Sequence, residues 1–313
     1  MNPEILLIEA MMPEIEAKLD ADYQVHRYYA AQDKTAFAAS VASNIRAIVT
    51  GGGSGASNAL VDALPKLEII AINGVGTDAV DLEHARSRSV RVTTTPDLLT
   101  DDVADLGVTL LLTAFRQVCP GDRFVRDGHW ARNESLPLAR KITGKRLGIL
   151  GMGRIGRAIA HRATGFDMSV AYHDVRALDD VPYRYVPELV ELARQSDALI
   201  VAASGGPQSR GLVNASVLEA LGPDGILVNV ARGSIVDEPA LVAALVSGGL
   251  GAAGLDVFMD EPNVPHELLK LDNVVLQPHR ASATLETRRA MGELVLANIA
   301  ARLAGKDPLT AVV

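Results

Sequence analysis

The six residues from Gly151 to Gly156, GMGRIG, constrain this chain more than any other stretch. Three glycines at that spacing say little on their own. Here they follow the apolar run KRLGIL (145–150) and open a helical pattern with Ile155, Ile159 and Ala163 on one face. Strand, tight turn and amphipathic helix in that order form the dinucleotide fingerprint of a parallel α/β sheet. Gly151 allows the tight turn, Gly153 lets backbone approach a pyrophosphate, and Gly156 lets helix and strand pack closely. The diphosphate then rests on N–H groups at the positive helix end, where Arg154 and Ile155 stand. Asp174 follows the strand MSVAYH, eighteen positions after Gly156, where an acidic residue binds the adenosine ribose hydroxyls. The competing reading is a merely structural tight turn.

Short apolar runs alternate with helical patterns along the whole chain, which predicts parallel sheets. A first series of strands reads at 4–9, 46–49, 68–72 and 90–93, with helices such as 12–20 and 57–63 between them. A second series reads at 145–150, 168–173, 197–202, 226–230, 251–257 and 273–277. Long helical patterns cover about 101–117, with Val103, Leu106, Leu110, Leu111 and Ala114 on one face, and about 281–304. Because the fingerprint sits mid-chain, a nucleotide-binding domain is expected at 100–283, inserted between two parts of a smaller domain at 1–99 and 284–313. The two long helices would connect them. The Gly-rich stretch GGGSGAS (51–57) lacks a third properly spaced glycine and reads as a βα loop.

Bulk properties narrow the function classes. A net charge of −8 argues against a nucleic-acid or anionic-membrane surface. One cysteine, Cys119, excludes an internal disulfide and fits a reducing compartment. The N-terminus has no basic region followed by a long apolar core, and no apolar run reaches the length of a membrane span, so a soluble cytoplasmic protein is expected. No metal site is expected.

Charged groups then recur just after apolar strands. Arg232 follows GILVNVA, Asp256 and Glu261 fall in GLDVFMDEP, and His279 follows VVLQP. Each has a bland explanation. Arg232 could pair with Asp237 or Glu238, and a histidine after proline is commonly a loop residue. In an open α/β sheet, however, the carboxyl ends of the strands line the ligand crevice, so these groups converge on one edge.

The patterns G-M-G-R-I-G, N-V-A-R-G-S-I-V-D-E, G-L-D-V-F-x-x-E-P and P-H-x-A-S-A-T, in this order, resemble the D-isomer-specific 2-hydroxyacid dehydrogenase family. GVGTDAVDL (74–82), TPDLLTDDVADL (95–106) and GHW (128–130) are most similar to its glyoxylate/hydroxypyruvate and hydroxyphenylpyruvate reductase branch. The resemblance implies two doubly wound parallel-sheet domains, a Rossmann nucleotide-binding domain inserted in a flavodoxin-like substrate domain. It implies an oxidoreductase that reduces small 2-oxo acids with NADH or NADPH. Arg232 would bind the substrate carboxylate and carbonyl, His279 would be the general acid, and Glu261 would orient its ring. The N–H groups of Val75 and Gly76 would cradle the carboxylate. Asp256 would meet the nicotinamide carboxamide, with Ala231 also on the cofactor side. The stretch 124–145, with Trp130, would be the arm of a homodimer.

Two departures stand out. Arg280 follows the histidine where the family usually has a small apolar residue, and VAASGGPQSRGLV (201–213) replaces its common Pro-Leu-Thr turn beside the cofactor. After the strand, Asp174 stands where the reductase branch often has a small polar residue, and Val175 where it has Arg. A carboxylate there repels a 2′-phosphate, which favours NADH, although Arg176 and Arg154 are close in sequence. The alternative of another class is a dinucleotide-sensing interaction protein on the same scaffold.

Overall fold

The structure is a computed structural model and describes residues 2–313. In chain order the strands are β1 Glu4–Leu7, β2 Gln24–Arg27, β3 Ile45–Gly51, β4 Ile69–Asn73, β5 Arg91–Thr93, β6 Arg146–Leu150, β7 Ser169–His173, β8 Arg184–Tyr185, β9 Ala198–Val201, β10 Ile226–Asn229, β11 Ala252–Leu255 and β12 Val274–Leu276. The helices are α1 Pro13–Asp22, α2 Lys34–Val41, α3 Asn58–Ala63, α4 Leu82–Ser87, α5 Thr100–Arg116, α6 Val118–Arg126, α7 Arg154–Thr164, α8 Leu189–Arg194, α9 Ala215–Leu221, α10 Glu238–Ser247 and α11 Leu285–Leu303. The chain divides into two compact units, one of the residues up to Leu99 with Ser282–Val313, the other of Thr100–Ala281.

In the first unit, the described residues form a five-stranded sheet in the order β2-β1-β3-β4-β5, with every pair parallel. This is the flavodoxin-like doubly wound order. Both faces are covered, so its inner strands read as near-continuous apolar runs. Ile5, Leu7, Val49, Ile69 and Ala71 face Val295 and Ile299 of α11. Leu6, Ile48, Ile70 and Ile72 pack on the opposite face with Val61 and Leu64.

In the second unit, the described residues form a seven-stranded sheet in the order β12-β11-β10-β9-β6-β7-β8, again with every pair parallel. Counted from β6, this is the Rossmann order with one strand added at the far edge. Helix α5 buries Val103, Ala104, Gly107, Val108, Leu110, Leu111 and Phe115, while Leu106 and Ala114 are only half-buried.

Several helix starts follow from side-chain caps. Asp33, Ser57, Asp81, Asn214, Asp237 and Thr284 each accept a backbone N–H from the first turn that follows. The Thr284 cap explains why α11 begins later than the apolar pattern suggests. The pattern at 101–117 ends at Arg116 because Gln117 turns to φ +51°, and the chain restarts as α6. Strands β2 and β8 carry no clear alternation, and each pairs along one side only. No single described helix is long and apolar enough to cross a membrane.

Candidate active site

All strands of the second unit run the same way, and their order reverses beside β6, between β7 and β9. Their carboxyl ends therefore deliver the glycine turn, Asp174, Arg232, Asp256 and His279 to one edge, where open α/β sheets bind ligands.

The glycine turn is shaped by close backbone approach. Gly151 sits at φ +94°, and its N–H donates to the His173 carbonyl at 2.9 Å. A Cβ on Gly151 would lie 2.5 Å from the Cα of Ala203, and one on Gly156 would lie 2.0 Å from the Gly151 carbonyl oxygen. A Cβ on Gly153 would meet nothing within 4 Å, so the outer side of the turn is open. Gly153 is also the N-cap of α7, and no side chain caps that helix. The first N–H groups of a helix need partners, and the positive end of the dipole favours an anion. The turn thus fits a dinucleotide diphosphate.

Asp174 closes one end of this turn. Its Oδ2 accepts from the Met152 N–H and its Oδ1 from the Val175 N–H, both at 2.7 Å. Arg154, Arg157 and Arg176 line a recess of about 460 Å³ together with Asp174 and Gly153. Among the expected cofactor residues, Ile155 is half-buried, while Gly156 packs on β6 and is buried.

On the other side of the reversal, Glu261 and His279 meet: Oε2 lies 2.6 Å from Nδ1. Glu261 Oε1 accepts from the Phe258 N–H at 3.0 Å. Burial pushes the Glu261 carboxyl up, but the His279 bond, the Phe258 N–H and the positive charges of His279 and Arg232 outweigh it. The net shift is below the ordinary glutamate value. Arg232 is therefore electrostatically part of the same group. His279 adopts φ +47°, a left-handed conformation that side chains other than glycine rarely take. Asp256 holds it there. Its carbonyl accepts from the His279 N–H at 2.7 Å, and its carboxylate accepts from the N–H groups of Arg280 and Ala281 at 2.8 and 3.0 Å. Asp256 is 1% exposed, and burial raises its pKa against those two bonds. The Arg280 side chain is exposed.

Asp237 and Glu238, the acidic neighbours of Arg232, serve the backbone: Asp237 caps α10 and Glu238 accepts from the Met259 N–H at 3.0 Å. Arg232 Nη1 donates to the Ala231 carbonyl at 2.6 Å. Two positioning residues escape a search for chemistry. Asn229, 1% exposed, accepts from the Ala231 N–H and donates to the Arg232 carbonyl, so it clamps the turn that presents the guanidinium. Gly233 lies against the backbone of Phe258, where a Cβ would come within 2.0 Å of its carbonyl carbon and oxygen. A polar residue inside an apolar strand and a glycine directly after an arginine were the available signals.

In the first unit, Val75 and Gly76 follow β4. Gly52 packs on this loop, where a Cβ would sit 3.1 Å from the Gly76 carbonyl oxygen, and the Thr95 N–H donates to the Gly74 carbonyl at 2.8 Å. Of the stretch 51–57, Gly51 ends β3 and residues 52–57 form the loop to α3.

Residues 108–281 match the family described as D-isomer specific 2-hydroxyacid dehydrogenase, NAD binding domain. The chain belongs to the D-isomer specific 2-hydroxyacid dehydrogenase family. It is an oxidoreductase of that family, and its second unit carries the family's NAD-binding domain. A hydroxyphenylpyruvate reductase from Plectranthus scutellarioides is 46% identical over 99% of this chain and 98% of its own length. Among solved structures, a 2-hydroxyacid dehydrogenase from Ketogulonicigenium vulgare Y25 is 47% identical with a TM-score of 0.92, over 100% of this chain and 99% of that one. An NADPH-dependent glyoxylate/hydroxypyruvate reductase from Sinorhizobium meliloti, solved in complex with NADP and malonate, is 40% identical with a TM-score of 0.91, over 100% of this chain and 97% of that one.

Proposed function

We propose that this dehydrogenase reduces small 2-oxo acids, chiefly glyoxylate and hydroxypyruvate, to 2-hydroxy acids, with NADH favoured over NADPH. The observation that carries the reading is the Glu261–His279 contact at 2.6 Å with the Arg232 charge acting on the same carboxylate. A reduced nicotinamide dinucleotide, held by the glycine turn and Asp174, would supply the hydride for the carbonyl carbon. Arg232 takes the substrate carboxylate and carbonyl oxygen through its forked N–H groups, since charge-assisted bonds of this kind are roughly twice as strong as neutral ones. Its charge also stabilises the developing alkoxide. His279 Nε2 gives its proton to that oxygen and takes one back when the reaction runs in reverse. Glu261 keeps Nδ1 engaged and so orients the ring.

The N–H groups of Val75 and Gly76 are proposed to receive the substrate carboxylate. Asp256, with lone pairs left beyond its two backbone bonds, is proposed to accept from the nicotinamide carboxamide. Gly151, Gly153, Arg154, Ile155, Gly156 and Ala231 are proposed to surround the rest of the cofactor. Asp174 is proposed to accept from the free ribose hydroxyls, a role a carboxylate performs while repelling a 2′-phosphate. The exposed stretch around Trp130 supports a homodimer.

The test is a substrate panel run with both reduced cofactors. Glyoxylate or hydroxypyruvate should drive oxidation of NADH, with D-glycerate formed from hydroxypyruvate. No turnover with either acid, or a tenfold preference for NADPH in kcat/KM, would overturn the corresponding part of the reading.

A further inference from the structure

The nucleotide recess holds an arginine that the reading above does not use. Arg157 follows Gly156 by one residue and folds back over the glycine turn. Its Nε donates to the Met152 carbonyl at 3.2 Å, and its Nη1 and Nη2 donate to the two oxygens of Asp180, each at 2.9 Å. It lines the same recess as Asp174 and Arg176. The negative charge of Asp174 acts on its guanidinium, in addition to the stronger effect of Asp180. The loop that carries Asp180 is tied down as well: the Leu178 N–H donates to the hydroxyl of buried Tyr172 at 2.7 Å.

We propose that Asp180 is a positioning residue that disfavours 2′-phosphorylated cofactor by holding Arg157 in a fork-to-fork pair. Two carboxylates would then set the preference for NADH: Asp174 at the ribose and Asp180 through Arg157. The proposal rests on the nucleotide reading of this recess. A guanidinium presents to a carboxylate the same paired N–H edge that it would present to a phosphate. While Asp180 occupies that edge, a 2′-phosphate must displace it. The side chains of Arg157 and Asp180 are 38% and 69% exposed. Exposed pairs of this kind are weak. The latch therefore biases the site without closing it, and releasing it leaves Arg154, Arg157 and Arg176 around one remaining carboxylate.

The test is calorimetric binding of 2′,5′-ADP and 5′-AMP to the full-length protein. Asp180→Asn should tighten 2′,5′-ADP by about fivefold, the upper range for an exposed ion pair, and leave 5′-AMP unchanged. Asp180→Glu, which keeps the carboxylate, should stay near the parent protein. The gain should vanish when Arg157→Gln is added and shrink at high salt. Unchanged 2′,5′-ADP affinity in Asp180→Asn, a gain that survives Arg157→Gln, or an equal change for 5′-AMP would overturn the proposal. No 2-oxo acid enters the measurement, so an error in the proposed substrate cannot mimic either result.

Discussion

Glu261 Oε2 and His279 Nδ1 lie 2.6 Å apart, which commits Nδ1 to the carboxylate and leaves Nε2 as the ring nitrogen that the proposed role would turn to substrate. Loss of a positioned acid typically costs a factor of about a hundred or more, so His279→Ala should lower kcat by at least that much. Glu261→Gln keeps a hydrogen-bonding group at Nδ1 but removes the charge, so it should lower kcat by a smaller factor. Steady-state kinetics with glyoxylate would check both, and full activity in either variant would remove the assigned role.

The same pair makes a signed prediction about stability. The Glu261 carboxyl is held below its ordinary value, despite burial, by His279, the Phe258 N–H and Arg232. A depressed carboxylate stabilises the fold above its unfolded pKa, about 4.3 for glutamate, and that contribution is lost as pH falls through the lower folded value. The melting-temperature gap between the parent protein and Glu261→Gln should therefore be widest near neutrality and narrow on acidification. Asp256, raised by burial, acts in the opposite sense: its share is greatest below the ordinary aspartate value and falls as pH rises through the folded one. A gap that stays constant or widens in acid would contradict the Glu261 assignment.

Arg232 should act mainly on kcat/KM. In the role proposed for it, Arg232→Ala would remove both the fork for the carboxylate and the charge beside the alkoxide, a loss of about 3 kcal/mol, or roughly a hundredfold. Arg232→Lys retains the charge without the fork, so its loss should be smaller. Rates for the two variants with glyoxylate, alongside the Kd for NADH, would separate the effects. Equal activity of the lysine and parent proteins would show that fork geometry is not used.

The parts legible in the sequence are those that contradict their surroundings. Arg232, Glu261 and His279 are charged or titratable groups placed just after apolar runs, and the three glycines fall at the one point where strand passes into helix. Runs buried on both faces, such as β3 and β4, declare themselves by continuous hydrophobicity. Edge strands β2 and β8 do not, because QVHR and RY are only partly buried and pair along a single side. The pairing of Arg157 with Asp180, 23 residues later, was invisible because it depends on where a loop returns. Asp256 could be read as a strand-end acid, but its hold on the backbone of Arg280 and Ala281 could not, since it spans 24 and 25 positions.

Trp130 carries the prediction about assembly. It is 70% exposed, Leu138 is 96% exposed, and residues 130–139 are exposed throughout. Exposed apolar surface is a feature of interaction sites, and tryptophans are enriched among residues that dominate interfaces. Sedimentation at micromolar concentration should give a dimer. Trp130→Ala should weaken it at least fivefold, in line with the more than about 1 kcal/mol typical of such anchors. A monomeric parent protein would rule the arm out.

Gly233 offers the most direct test of how the site is held together. Its backbone conformation is open to other residues, so the requirement for glycine comes from contact alone. An added Cβ would fall 2.0 Å from the carbonyl carbon and oxygen of Phe258 and 2.5 Å from the Met259 nitrogen. Backbone cannot rotate away as a side chain can, so Gly233→Ala must push the Arg232 turn from the loop that ends in Glu261. Overpacking of this kind typically costs about 1–3 kcal/mol of stability. The displacement should also misalign Arg232 with the Glu261–His279 pair, and misplacement by an ångström can cost about a hundredfold in rate. The glycine turn lies at the end of another strand and is not touched by this contact. Gly233→Ala should thus lower the melting temperature and kcat/KM for the oxo acid and weaken NADH binding less, since Ala231 is the one proposed cofactor residue on the displaced turn. A variant with the parent's melting temperature and kcat/KM would show that the two turns do not depend on this contact.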